Sequence, residues 1–195
     1  MCGRFEVKEA NKKIKKRFGL KLSPPTSQGS EMKPTDRILT IDGESGHARG
    51  RLLGWGLKVD WDAKPLINAR AESLLDKPTF RPLLSRRCLV PATAYFEWQH
   101  PEGGAKQKMR IHPSDQDVFA MAGLVGADGD SVTIITTTPS PDIQNIHNRM
   151  PVILSPDAES KWIDPSVSFD QVAEKLHAYT TAMSFENADQ SPVML

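Results

Sequence analysis

Short apolar runs separated by turn residues fill most of the chain. Arg37 to Ile41 and His47 to Trp55 flank Asp42-Gly43-Glu44-Ser45-Gly46, the pattern of a hairpin. Cys88 to Val90, Ala94 to Trp98, Lys108 to His112, Val118 to Val125 and Val132 to Thr136 are rich in β-formers. Turns such as Pro101-Glu102-Gly103-Gly104 and Asp128-Gly129-Asp130 separate them, and Gly3 to Val7 is a further candidate strand. A largely antiparallel sheet is the expectation.

The period changes toward both ends. Lys8 to Phe18 places Ala10, Ile14 and Phe18 on one helical face and stops at Gly19; the other face carries Lys12, Lys13, Lys15, Lys16 and Arg17. That basic run reads as a solvated face or as a phosphate contact. Ser23 to Thr35 mixes Pro, Ser, Thr and Gly and predicts a loop. Ser155-Pro156-Asp157-Ala158-Glu159 supplies an N-cap, a first-turn proline and two acids for a helix ending near Ile163. A second helix is predicted from Ser168, which forms a capping box with Gln171 and is followed by Val172, Ala173 and Leu176 on one face. No internal repeat is evident. The class is α+β, a mainly antiparallel β core with peripheral helices at both ends, in a single domain over residues 1–195.

Composition narrows the classes. In 195 residues, 38% hydrophobic content suffices for one core, while 25% charged content and the absence of any apolar run near ~18 residues exclude a disordered or membrane-spanning chain. A net charge of +1 argues against coating nucleic acid by bulk electrostatics and leaves a local basic groove open. The amino terminus has no secretory pattern and there are two cysteines, which implies a reducing, cytoplasmic compartment with both thiols free. No Cys/His cluster has ligand spacing, so neither metal nor cofactor is expected.

Cys2 is the first unusual residue, because a small side chain at this position normally permits removal of Met1 and leaves an amine and a thiol on one carbon skeleton. With the α-amine near ~7.7–8.0 and the thiol near ~8.5, both nucleophiles are available together. An aldehyde would form an imine with the amine, and the thiol would close a thiazolidine without a second encounter. Taken alone, a cysteine here is usually accidental. Glu97 lies between Phe96 and Trp98; facing inward it would have a raised pKa suited to proton transfer, and pattern alone equally allows it to face outward. His147 sits in a loop with Asn148 and Arg149, where it is catalytic or structural. Asn68 and Arg70 are two apart in an extended segment and so share a side, one to hold a carbonyl or amine, the other a phosphate. Trp55 and Trp61 precede them, as stacking platforms for a base or as core; Trp98, Trp162 and Cys88 read as core.

Taken together, these segments closely resemble the SRAP family (SOS response-associated peptidase), the abasic-site processing proteins, from Met1 to about Trp162. The carrying residues are Cys2-Gly3-Arg4-Phe5, Trp55-Gly56-Leu57, Asn68-Ala69-Arg70-Ala71-Glu72, Arg87-Cys88-Leu89-Val90-Pro91, Phe96-Glu97-Trp98, Ala122-Gly123-Leu124 and Ile146-His147 through Leu154. The resemblance implies a barrel-like SRAP-type fold. It also implies a protein that crosslinks itself through Cys2 to an abasic site in single-stranded DNA or at a single-strand/duplex junction. By motif position Cys2 is the nucleophile, Asn68 positions its amine, Glu97 moves protons and His147 stabilises charge. Arg4, Arg70 and Arg149 would bind phosphates, with Pro34, Trp55 and Trp61 also on the DNA path. Self-processing and weak AP-lyase activity are implied as well. The expected partner is abasic DNA, met by a monomer away from membranes. The chain departs from the family pattern at Met32-Lys33-Pro34-Thr35, where only Pro34 carries over, at Asp62, often aromatic, and at Asn148, usually aspartate. A thiol peptidase acting on other proteins and a noncatalytic DNA-binding module remain the alternative readings.

Overall fold

The β-rich runs become two main sheets in a computed structural model that describes residues 2–9, 11–26, 31–44, 47–101 and 103–189. In chain order the elements are β1 (Phe5–Glu6), α1 (Asn11–Arg17), β2 (Glu31–Met32), β3 (Arg37–Glu44), β4 (His47–Trp55), β5 (Leu57–Val59), β6 (Asp62–Leu66) and β7 (Asn68–Arg70). They continue with β8 (Arg87–Ala92), β9 (Ala94–Gln99), β10 (Gln107–Pro113), β11 (Phe119–Val125), β12 (Ser131–Thr137), β13 (Met150–Pro151), β14 (Ile153–Leu154), α2 (Pro156–Ile163) and β15 (Met183–Asn187). Among the described residues no helix is long and apolar enough to cross a membrane.

The larger sheet closes into a ring: β12 pairs with β4, β4 with β3, β3 with β8, β8 with β11, and β11 again with β12. Closure of this kind removes the unpaired edges of an open sheet. Only the β12–β4 step is parallel. Neighbouring side chains on the ring strands alternate between two apolar clusters. Phe119 and Met121 join Val90, Val132 and Ile134 in one; Ala120 and Ala122 join Leu89, Ile135 and Trp162 in the other. Both faces are therefore covered, which is why these strands read as continuous apolar runs. The second sheet, in the order β15-β10-β9-β1-β2, pairs Phe5 with Tyr95 and with Met32.

The predicted hairpin is β3–β4, in register from Arg37 opposite Gly54 to Glu44 opposite His47, with Ser45 and Gly46 outside the described residues. The first helix buries Ile14, and Ala10 lies outside the described residues. It ends at Gly19 in the left-handed region (φ 62), with Leu20 N–H donating to Lys15 O. α2 spans the predicted segment to Ile163.

Three expectations need correction. The second C-terminal helix is two short 3-10 turns, Phe169–Gln171 and Ala173–Lys175: the Ser168–Gln171 capping box forms, but Val172 at φ −119, ψ −9 interrupts the helical path. Among the described residues the last element is a strand, because β15 adds antiparallel to β10 from Met183 opposite Pro113 to Asn187 opposite Met109. The predicted loop contains β2, which extends the second sheet beyond β1.

Candidate active site around Cys2

Four segments distant in sequence meet at Cys2. The residue lies just ahead of β1 and is fully buried, its thiol donating a long hydrogen bond to Arg4 O at 3.9 Å. Asn68 stands at the start of β7, which runs parallel to β12 with Asn68 opposite Ile134. Its Nδ2 donates to Cys2 O at 2.9 Å, tying positions 66 residues apart. Its Oδ1 is buried with no hydrogen-bond partner among the described residues. Tyr95 and Glu97, two apart on β9, project from one face of that strand.

Glu97 is 3% exposed. Burial lifts its carboxyl above the ordinary range. Burial, and then the Glu97 carboxylate, push the Cys2 thiol well up. The thiol is therefore not the freely ionising group anticipated for an exposed cysteine, and at neutral pH it needs a base to take its proton. Glu97 is the nearby carboxylate.

His147, in the segment between β12 and β13, places Nε2 3.7 Å from Glu97 Oε2. Its Nδ1 faces both polar groups of one backbone: Arg149 N–H donates to it at 3.0 Å and Arg149 O lies at 3.2 Å. A neutral ring accepts from the first, which fixes the tautomer with the proton on Nε2; an imidazolium could donate to the second only by giving up its acceptance from the Arg149 N–H. Burial holds the imidazole below its usual pKa, which favours the neutral ring with Nε2–H toward Glu97. The Arg149 side chain anchors this loop, with a bidentate pair to Glu72 at 2.8 and 2.9 Å and a 2.7 Å bond to Thr136 O. The Arg149 guanidinium keeps the Glu72 carboxyl below its ordinary pKa.

Cys2, Asn68, Glu97 and His147 thus converge. Arg70, on the side of Asn68 by alternation, is exposed. Arg4 is half-buried and paired with Glu31 at 3.3 Å. Pro34 sits in the Lys33–Asp36 turn, whose next residue, Thr35, has φ 78 and donates its N–H to Trp55 O. Trp61, at the turn between β5 and β6, is 68% exposed.

Trp55 departs from its expected stacking role. Its indole is fully buried, meets Phe5 edge-on at 5.2 Å and donates Nε1–H to Ile67 O at 3.0 Å. It is a strut that joins the segment carrying Cys2 to the residue before Asn68. Trp98, read as core, is only half-buried and lies under Lys106 Nζ at 5.4 Å, whereas Trp162 and Cys88 are fully buried. Sequence reasoning passed over Tyr95, although its parity with Glu97 carried the signal. It left Glu72 without a role, and no local pattern links Glu72 to Arg149.

The SOS response associated peptidase (SRAP) family model matches residues 1–192 of the sequence. The chain belongs to the SRAP family. Among its SRAP relatives, YoqW of Bacillus subtilis (strain 168), an abasic site processing protein, is 38% identical over 181 residues, covering 85% of this chain and 81% of its own length. YoaM of the same organism, also an abasic site processing protein, is 38% identical over 181 residues, covering 85% and 80%. A crystal structure of a protein from Bacteroides thetaiotaomicron matches this SRAP chain with a TM-score of 0.79 at 27% identity, covering 95% of this chain and 91% of the other.

Proposed function

We propose that this protein processes abasic sites in DNA and does so by covalent capture: with Met1 removed, the Cys2 nitrogen and sulfur both bond to C1′ of a base-less deoxyribose in single-stranded DNA or at a junction with duplex. Family membership and the named relatives support the abasic-site role. The observation that carries the covalent reading is the Asn68 bridge to the Cys2 carbonyl beside buried Glu97.

The steps follow from the groups present. An abasic sugar is mostly a closed hemiacetal, so an acid and a base are needed to free its aldehyde, and a carboxyl with a raised pKa serves both ends of that transfer. Asn68, its Nδ2 already holding Cys2 O, offers Oδ1 to the freed α-amine. The amine adds to C1′ and water leaves, giving an imine. The sulfur then adds to C1′ as its proton passes to Glu97, the C=N electron pair returns to nitrogen, and Glu97 delivers that proton to the nitrogen to give the neutral thiazolidine N–H. His147 shares charge with Glu97 through Nε2.

Arg4, Arg70 and Trp61 supply phosphate contacts and an exposed stacking surface along the DNA path, with Pro34 shaping the turn beside it. Arg149 serves chiefly by holding His147, since its guanidinium is already engaged by Glu72. An imine that waits too long for the sulfur can lose its strand by β-elimination, which would give the protein a weak lyase activity. Self-processing to expose Cys2 would use the same Glu97 and His147.

The test is a denaturing gel of protein with abasic and with intact single-stranded oligonucleotide. The abasic strand is expected to give a denaturant-resistant adduct that the intact strand does not. In Cys2→Ala that adduct disappears and nicking rises, because the imine forms without closure. Unchanged adduct in Cys2→Ala would refute the capture reading.

A further inference from the structure

We propose that the Tyr95 hydroxyl donates a hydrogen bond to Cys2 Sγ at the moment the thiol gives up its proton, and so speeds closure of the ring. The inference rests on the reading of Cys2 as nucleophile given above. Tyr95 is fully buried, yet its hydroxyl has no hydrogen-bond partner among the described residues. A phenol enclosed in a core normally finds one, because a buried donor left without a partner is costly. An orphan here therefore calls for an occupant or a state in which it is satisfied.

Its surroundings name that state. Tyr95 pairs with Phe5 across β1 and β9, three residues from Cys2, and belongs to the same apolar cluster as Cys2. By strand alternation it shares a face with Glu97. Burial above all, and then the charges of Cys2 and Glu97, hold the phenol in the protonated form. Tyr95 is thus a donor that does not itself surrender a proton. The side-chain amide at Cys2, Asn68 Nδ2, is committed to the carbonyl oxygen. In the thiol form Sγ acts as a donor, toward Arg4 O, and offers the phenol little. Once the S–H proton moves to Glu97, Sγ is an anion in a fully buried cluster that also holds an unengaged O–H within electrostatic reach. Sulfur then bonds to C1′, the imine nitrogen takes back its electron pair and receives the proton from Glu97, and the hydrogen bond weakens as the sulfur becomes a neutral thioether. The benefit falls on the rate of closure and not on formation of the imine or on the stability of the product.

The experiment compares the full chain with Tyr95→Phe on single-stranded abasic oligonucleotide, with and without borohydride to trap the imine, and records melting temperature. Early trapped imine is expected to match the parent. The stable, untrapped adduct should form about tenfold more slowly or worse, the size expected for loss of a hydrogen bond to a charged group. Nicked strand should increase, and the melting temperature should hold or rise, since an unsatisfied buried oxygen has been removed. Closure at the parental rate would overturn the proposal. So would a proportional fall of imine and adduct together with a lower melting temperature, the mark of a purely structural residue. If the unsubstituted protein yields imine but no stable adduct, the reading of Cys2 itself fails, and this inference with it.

Discussion

Two buried polar clusters on this fold are finished to different degrees. Beneath α2, Arg87 donates to four backbone carbonyls: Trp162 O at 2.6 Å, Leu84 O at 2.9 Å, Asp164 O at 2.8 Å and Val167 O at 2.6 Å. Trp162 answers by donating to Cys88 O at 2.9 Å. Around Cys2, by contrast, Asn68 Oδ1 and the Tyr95 hydroxyl are buried with no partner among the described residues, and burial works against the charge on Glu97. The first cluster is closed and locks the C-terminal segments to β8. The second holds polar capacity in reserve, which stabilises nothing in the free protein and becomes useful when a polar reactant arrives. The difference separates a structural polar core from a reactive one more sharply than burial does.

Breaking the reactive cluster should produce the largest effect. Glu97→Gln is expected to slow adduct formation by about 10²–10⁴-fold, the usual contribution of a positioned acid–base group. The same change should leave stability equal or higher, with a defined pH course. A carboxyl whose pKa is raised on folding contributes stability at low pH, and that contribution is lost as pH rises through its folded value. The parent should therefore fall behind Glu97→Gln in melting temperature between acid and neutral pH, and match it near pH 4. His147 has the opposite sign: its pKa is lowered on folding, so its contribution is present above the unfolded value and is lost on acidification. Equal melting curves for parent and Glu97→Gln across that range would show that Glu97 is not desolvated in solution.

Breaking the closed cluster should do the reverse. Arg87→Met leaves four carbonyls without their donor and is expected to cost about 3–5 kcal/mol of stability, as for removal of one partner from a buried charged site. Crosslinking rates at a temperature where the variant stays folded should be within about twofold of the parent, as for distant independent sites. Denaturant melts and single-turnover gels check the two halves; loss of activity without loss of stability would contradict the division. The smallest effect belongs to the link between the site and its surface. Glu72→Gln keeps the shape but removes the charge from a half-exposed pair with Arg149, so stability should change by under ~1 kcal/mol. Adduct formation should fall several-fold, because the loop that holds His147 loosens, and Glu72→Asp should restore part of it.

The ring strands were legible because residues such as Met121 and Ala122 are buried on opposite faces and give unbroken apolar runs. Glu97 was legible as a candidate, flanked by aromatic residues, and Tyr95 would have been had strand parity been applied from Glu97 outward. Trp55 stayed open between a stacking platform and core because an indole's exposure depends on Phe5 and Ile67, residues that meet it only after folding. β15 escaped notice because only Met183 of its five residues is buried, so it carries almost no apolar signal. The Asn68–Cys2 and Glu72–Arg149 contacts span 66 and 77 positions, and nothing local encodes them.

Intact-mass spectrometry of the protein, before and after incubation with an abasic single-stranded oligonucleotide, shows whether Cys2 captures the lesion. The expected result is a chain lacking Met1, then a species heavier by the oligonucleotide less one water, with Cys2 as the attachment point on peptide mapping. A chain that retains Met1 and gains no mass, or an adduct mapped to a lysine, would contradict it.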